Sequence, residues 1–336
     1  MTSLYLLGGR QRSDAALLRE WHAFEAAVIA QVDLEARRVV RTLEYRSPSA
    51  VCPADRPSFV FKAGSRLGDR LYTCTQTEVL TYRLPELELL SRVSLPCFND
   101  LHHVRPTAQG TLLVAVTGLD MVVEISPEGR LLREWSVLGG DPWKRFSPGT
   151  DYRRVATTKP HASHPNFVFE LGGEIWATRF EQRDAVCLTG APQRIEIALE
   201  RPHDGIVSGE RIYFTTVDGH VVVASTHLRR VEQSIDLSAL DTRSQPLGWC
   251  RGICPLPGGE TLVGFSRIRP TRFRANLRWL RQRVRSLGAP TGLPTRIASY
   301  DLAGGALLWE LPTAEAGLDA IFSIHATDEA REDTHG

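Results

Sequence analysis

His164–Thr189 reads HPNFVFELGGEIWATRFEQRDAVCLT, and after a short link His203–Ser225 reads HDGIVSGERIYFTTVDGHVVVAS. Each copy opens on His and runs through an apolar stretch to a Gly-bearing turn (Gly172–Gly173; Gly209). A β-branched or aromatic run, a polar turn and another apolar run follow. Alternating runs of this length, punctuated by tight turns, are strands of an antiparallel meander rather than helices. A phrase that returns at a period of roughly 40 residues marks a propeller blade.

Ser58–Leu95, Asn99–Leu138 and Gly248–Pro312 carry related phrases. The N-terminal unit (Ser3–Leu7, Ala27–Leu34, Val39–Tyr45) lacks an inner strand, while Ala320–His325 is an inner-type strand with no blade of its own. The two defects cancel if the C-terminal strand completes the first blade, which closes the ring and removes exposed sheet edges. The expected fold is therefore all-β: one domain over residues 1–336, a single β-propeller with six blades of four antiparallel strands. Seven blades result if Asp141–Lys159 hides strands. Gln11–Glu25 reads as a short surface helix or loop.

Two insertions interrupt the rhythm. Residues 139–160 are rich in Pro and Gly, carry Trp143, Phe146 and Tyr152, and are long enough to cover one face of the disc. Residues 267–290 include Arg267–Leu287, with eight arginines and no acid. Phe273, Leu277, Leu280, Val284 and Leu287 fall there at helical spacing, so a basic amphipathic helix is expected. It suits a solvated helix packed on the disc, or docking to an acidic protein, an anionic membrane surface or a phosphate-bearing substrate.

A net charge of +1 gives no global attraction to nucleic acid. No apolar run reaches the roughly 18 residues of a transmembrane segment. Met1–Gly9 lacks a basic n-region, so a cytoplasmic protein is expected. The six cysteines contain no CxxC pair and read as reduced thiols. GxSxG, Walker, Rossmann and HExxH patterns are all missing.

The histidines are placed unevenly. His102 and His103 open the third unit, His161 and His164 the fourth and His203 the fifth, and His325 ends the closing strand. Inner strands line the channel of a propeller, so residues at their starts converge from distant parts of the chain. Neutral imidazoles gathered in this way suit Zn, Cu, Fe or Ni. The expected ligands are His103, His164, His203 and His325; adjacent residues of a strand face opposite ways, so His102 competes with His103. His161 is the reserve ligand or an acid/base. Asp100, Asp204 and Asn166 accompany the histidines, and carboxylates in such places commonly accept the free ring N–H. Lys62 and Arg251 break the His rule and mark an entry for a substrate carboxylate or phosphate, or else salt bridges to Asp100 or Asp204.

Blade count and closure resemble the six-bladed superfamily of gluconolactonases and strictosidine synthases, a likeness of architecture over most of the chain. The four-His inner-strand pattern looks like that of carotenoid cleavage oxygenases. That likeness implies Fe(II) held by imidazoles on the axis, although those chains are longer and seven-bladed. The expectation is a metalloenzyme, a non-haem Fe(II) oxygenase acting on a small-molecule substrate in the central channel, with Zn or Cu as other metals. Its rivals are a non-catalytic interaction propeller docking through the basic helix, a zinc hydrolase, and a metal-independent lyase or isomerase using His161 or Lys159.

Overall fold

A computed structural model describes residues 3–15, 18–19, 22–241, 243, 246–267 and 293–327. They form six four-stranded antiparallel sheets in a closed ring. Blade 1 comprises β1 (Ser3–Gln11), β2 (Phe24–Asp33), β3 (Arg38–Tyr45) and, innermost, β24 (Ala320–Ala326). Blade 2 is β4 (Ser65–Leu67), β5 (Arg70–Cys74), β6 (Val79–Arg83) and β7 (Glu88–Val93). Blade 3 is β8 (Leu101–Pro106), β9 (Leu112–Val116), β10 (Met121–Ile125) and β11 (Leu131–Ser136). Blade 4 is β12 (Pro165–Leu171), β13 (Glu174–Arg179), β14 (Asp184–Cys187) and β15 (Arg194–Glu196). Blade 5 is β16 (Pro202–Ser208), β17 (Arg211–Thr216), β18 (His220–Ser225) and β19 (Val231–Asp236). Blade 6 is β20 (Trp249–Pro255), β21 (Glu260–Ser266), β22 (Arg296–Asp301) and β23 (Ala306–Pro312).

The expected closure is present: Leu4 pairs with Ala326, Leu6 with Ile324 and Leu7 with Ser323. The count is six because residues 141–159 hold one short helical turn, Tyr152–Arg154, and no strand. The predicted basic helix at 267–290 lies, except for Arg267, outside the described residues. All six cysteines are free thiols.

Alternation of side chains places apolar faces between blades, and each of the six inter-blade gaps holds its own core. Tyr5 and Ile29 meet Leu71 and Tyr82; Cys74 and Val79 meet Val104 and Val114; Leu113 and Val122 meet Val168 and Ala177. Phe169 and Trp176 meet Ile212 and Phe214; Val221 and Val223 meet Ile253 and Phe265; Leu262 and Ile297 meet Leu4 and Ile324. Each fully buried side chain of this kind contributes about 1.5–3 kcal/mol. The hydrophobic cement lies between sheets, and so the innermost strands can carry polar residues toward the axis.

Those innermost strands are irregular at a common depth. Pairing slips by one residue at His102 in β8, at Asn166 in β12 and at Phe322 in β24. It slips again at Asp204–Gly205 in β16 and at Arg251–Gly252 in β20. Bulges re-aim side chains and gather next to functional sites. In blade 2 the stretch before β4 replaces a regular ladder, with Lys62 N–H donating to Cys74 O (2.8 Å) and Ala63 N–H to His102 O (2.9 Å).

Candidate metal centre at the propeller axis

The slipped positions, together with Lys62 just before β4, bring Lys62, His102, Asn166, Arg251 and Phe322 into one mouth, from blades 2, 3, 4, 6 and 1. Three residues beside them hold left-handed backbone despite having side chains: Asp100 (φ 46°), His164 (φ 59°) and Asp204 (φ 63°). Each such residue costs on the order of 1–3 kcal/mol and persists only where its surroundings fix it.

For His164 the fixing group is Asp120. Its buried carboxylate accepts the backbone N–H of Ala162 (2.8 Å), Ser163 (2.9 Å) and His164 (2.8 Å), and pairs with Arg145. This clamp holds the turn that carries His161 and His164. The two imidazoles meet Nδ1 to Nδ1 at 2.7 Å. Thr158 Oγ donates its single proton to Gly118 O, leaving only its lone pairs for His161 Nε2 at 3.2 Å. The network thus assigns His161 as the Nε2–H tautomer, with the Nδ1 lone pair turned inward. Asp100 completes the group: one donor atom from each of Asp100, His161 and His164 lies within 4.8 Å of the others.

Around this trio the other polar groups are ordered as neutral acceptors. Asn166 Nδ2 donates to Pro202 O (2.9 Å), so its Oδ1 accepts from His102 Nδ1 (2.7 Å). His102 Nε2 then accepts from Lys62 Nζ (3.2 Å), which also pairs with Asp100 (3.5 Å). Burial, then the Lys62 charge, depress His102 to about 4. Burial opposes ionisation of Asp100, yet the Lys62 ammonium, and beyond it Lys159, hold it well below the usual carboxylate range. His164 is pushed well down by burial and then by His102, with which its ring makes an edge contact at 4.6 Å. His203 Nε2 accepts from Arg251 Nε (3.1 Å), and burial and that guanidinium keep it neutral.

Of the four imidazoles expected to share one ion, only His164 stands in this trio. His102, not His103, faces the mouth. His103 accepts from Val168 N–H at Nδ1 (3.2 Å), meets Gly64 O at Nε2 (3.1 Å), and stacks on Phe167 at 3.5 Å. Both its nitrogens are committed. His203 is engaged by Arg251, and His325 by Ser323 Oγ (2.7 Å) and the field of Arg66, three residues along β24 from Phe322. Asp204 orients none of the three expected imidazoles; it accepts from Thr215 Oγ and Gly252 N–H, and burial pushes it up to about 6. Asn166 does orient an imidazole, that of His102. Lys62 makes the salt bridge to Asp100 that was one of its two expected roles. His161, the reserve, is one of the three residues brought together.

Loop 139–160 is tied down by Asn99 Nδ2 to Tyr152 O (2.8 Å) and Val155 O (2.7 Å), and by Arg154 to Cys52 O (2.8 Å). Asp120 and Thr158 escaped the sequence reading; the only available hint was an acid just after the Gly118 turn, a commonplace of surface loops.

No family model and no curated protein matches this chain. Among solved structures, a protein of unknown function from Bacteroides caccae aligns over 98% of this chain and 100% of its own, with TM-score 0.63 and 13% identity. A functionally unknown protein from Desulfotomaculum acetoxidans aligns over 91% and 86%, with TM-score 0.50 and 11% identity. Virginiamycin B lyase from Staphylococcus aureus aligns over 93% and 89%, with TM-score 0.47 and 12% identity. At such identities the likeness is one of fold. Among the described residues no helix is long and apolar enough to cross a membrane.

Proposed function

We propose that this chain is a metal-dependent enzyme whose divalent ion is held by Asp100, His161 and His164 at the propeller axis, and which acts on a small organic molecule. The observation carrying it is the convergence of these donor groups within 4.8 Å. The donor chemistry fits. Asp100 stays ionised, His161 turns its Nδ1 lone pair inward, and Thr158 supports the far ring nitrogen as supporting groups do at metal sites. A two-imidazole, one-carboxylate set favours Fe(II), with Zn(II) the competitor. When bound, such an ion supplies Lewis-acid polarisation of a coordinated oxygen.

The chain's own residues do the rest. Lys62 keeps Asp100 ionised, Asn166 fixes His102 so that its Nε2 faces the mouth as a neutral acceptor, and Phe180 and Phe322 wall the polar cluster. The test is metal content of protein prepared without chelator, then loaded with Fe(II) anaerobically or with Zn(II). About one equivalent is expected in wild type and in His103→Ala, and none in His164→Ala or Asp100→Asn. Failure of the wild type to take up Fe, Zn or Cu sinks the reading.

The 2.7 Å contact between His161 and His164 favours a second reading, metal-independent proton transfer by that imidazole pair. Activity that survives exhaustive chelation would select it.

A further inference from the structure

A narrow cleft meets the proposed metal centre at one residue: Asp100 lines it, whereas His161 and His164 do not. Part of its lining is apolar. Phe24, at the head of β2, and Val60, before β4, are 2% and 1% exposed, and loop 139–160 adds Val155 and Ala156. Phe24 and Val60 pack in one cluster with Phe322, the ring over which Lys62 Nζ sits at 4.8 Å. The rest is polar and lies about Asp100. Gln76 and Thr77 come from the β5–β6 turn, and Gln76 O accepts the N–H of Leu101 (3.1 Å), which keeps that turn beside Asp100. Asn99, the residue before Asp100, holds Val155 O (2.7 Å) and so fixes the apolar part to the polar part. Lys62 and Lys159 also line the cleft, and both act on Asp100, Lys62 by its ion pair at 3.5 Å.

We infer that the cleft admits the substrate, and that the substrate is a short aliphatic alcohol with its hydroxyl at Asp100 and its carbon chain against Phe24, Val60 and Val155. This names the substrate class of the enzyme proposed above and rests on that reading for its chemistry. An anionic head meets the like charge of Asp100, and a cationic head those of Lys62 and Lys159. A hydroxyl meets neither, and it has one proton to donate to the carboxylate. Carbon laid against the apolar lining leaves water, which tightens binding about fourfold for each methylene. The narrowness of the cleft selects an unbranched chain over a bulky one.

The experiment is a methyl-detected NMR titration of the full chain, chelator-treated and Zn(II)-loaded, with ethanol, butan-1-ol, 2,2-dimethylpropan-1-ol and butyrate. Butan-1-ol is expected to shift the Val60 and Val155 methyls and to bind about fifteenfold more tightly than ethanol, as two further methylenes are buried. The branched alcohol and butyrate should leave those methyls in place. Ala156→Leu and Ala156→Trp, which fill the cleft by degrees, should weaken butan-1-ol binding progressively, at least about tenfold for the larger, with metal uptake unchanged. Thermal melts show that each variant has folded. Butan-1-ol without effect on these methyls, butyrate binding as tightly as butan-1-ol, or unchanged affinity in both folded variants overturns the inference. Metal uptake on the same samples keeps the two ideas apart. Protein that takes up metal but no alcohol sinks the cleft alone; protein that binds alcohol but no metal keeps the cleft and loses the centre.

Discussion

The carboxylate of Asp120 receives the backbone N–H of His164 at 2.8 Å across 44 positions of sequence. A residue at the corner between β9 and β10 of blade 3 thus sets the left-handed backbone that opens β12 of blade 4. Loop 139–160 joins the same carboxylate through Arg145.

Asp120→Ala removes three backbone hydrogen bonds to a buried carboxylate, each worth about 1.5–3 kcal/mol where charge is involved. We expect a stability loss of about 4.5 kcal/mol or more and metal affinity lower by about 10–100-fold, the range seen when groups supporting ligands are lost. Denaturant melts and metal titration measure both. Unchanged metal affinity in a folded variant removes Asp120 from the centre.

His103→Ala and His102→Ala should behave oppositely. The first abolishes stacking on Phe167 and leaves Val168 N–H and Gly64 O without their imidazole, so about 2–4 kcal/mol of stability goes while metal uptake stays. The second removes the acceptor that Lys62 shares with Asp100 and the ring that Asn166 orients, and should mainly weaken metal uptake. Reversal of this pattern would put His103, not His102, in the site.

The sequence made the ring legible, because strand alternation and turn residues repeat in every blade, and the orphan inner strand Ala320–His325 demanded closure. The choice between His102 and His103 stayed open in the sequence for a specific reason. A period-2 reading assumes an unbroken ladder, whereas β8 inserts one extra residue at His102 and so inverts which neighbour faces the axis. The same slip recurs at Asn166 and Arg251. Left-handed backbone at Asp100 and His164 leaves no mark in composition, since these are not glycines. Asp100, His161 and Lys62 were picked out by their company, but the trio needed the Asp120 clamp, which only the folded chain reveals.

Acid should destabilise the protein from about pH 6.5 downward. His103, His203 and His325 are held neutral by burial and then by Arg105, Arg251 and Arg66; His325 falls to about 3. Their unfolded values lie near 6.5, so the unfolded chain binds more protons below that pH. Each histidine then withdraws about 1.4 kcal/mol per pH unit until its native value is reached. Asp204 runs the other way: raised to about 6 by burial, it contributes stability at low pH that is lost as pH rises through 6. His102, His164 and the depressed Asp100 act in the same direction as these three histidines, so acid lability dominates. Urea midpoints at pH 7 and pH 5 test this, with a shallower fall expected for His103→Gln; equal midpoints in wild type contradict it.

Gly8 permits the closing strand to approach. A Cβ there would lie 1.8 Å from Ala320 O and 2.9 Å from a Leu318 methyl, with backbone on the crowded side. Gly8→Ala should therefore unseat β24 at a cost of more than about 3 kcal/mol. Limited proteolysis should cut near residue 320 in the variant and spare the wild type; protection in both would mean that the ring absorbs the methyl.

Because β24 pairs with β1 and follows the other strands of the ring, synthesis must pass residue 326 before blade 1 can be finished. Phe322, the ring that Lys62 and Arg251 flank, arrives on that final strand. A prematurely terminated copy would keep most of its inter-sheet cores yet have no finished mouth. The finished mouth thereby becomes contingent on translation having passed the closing strand.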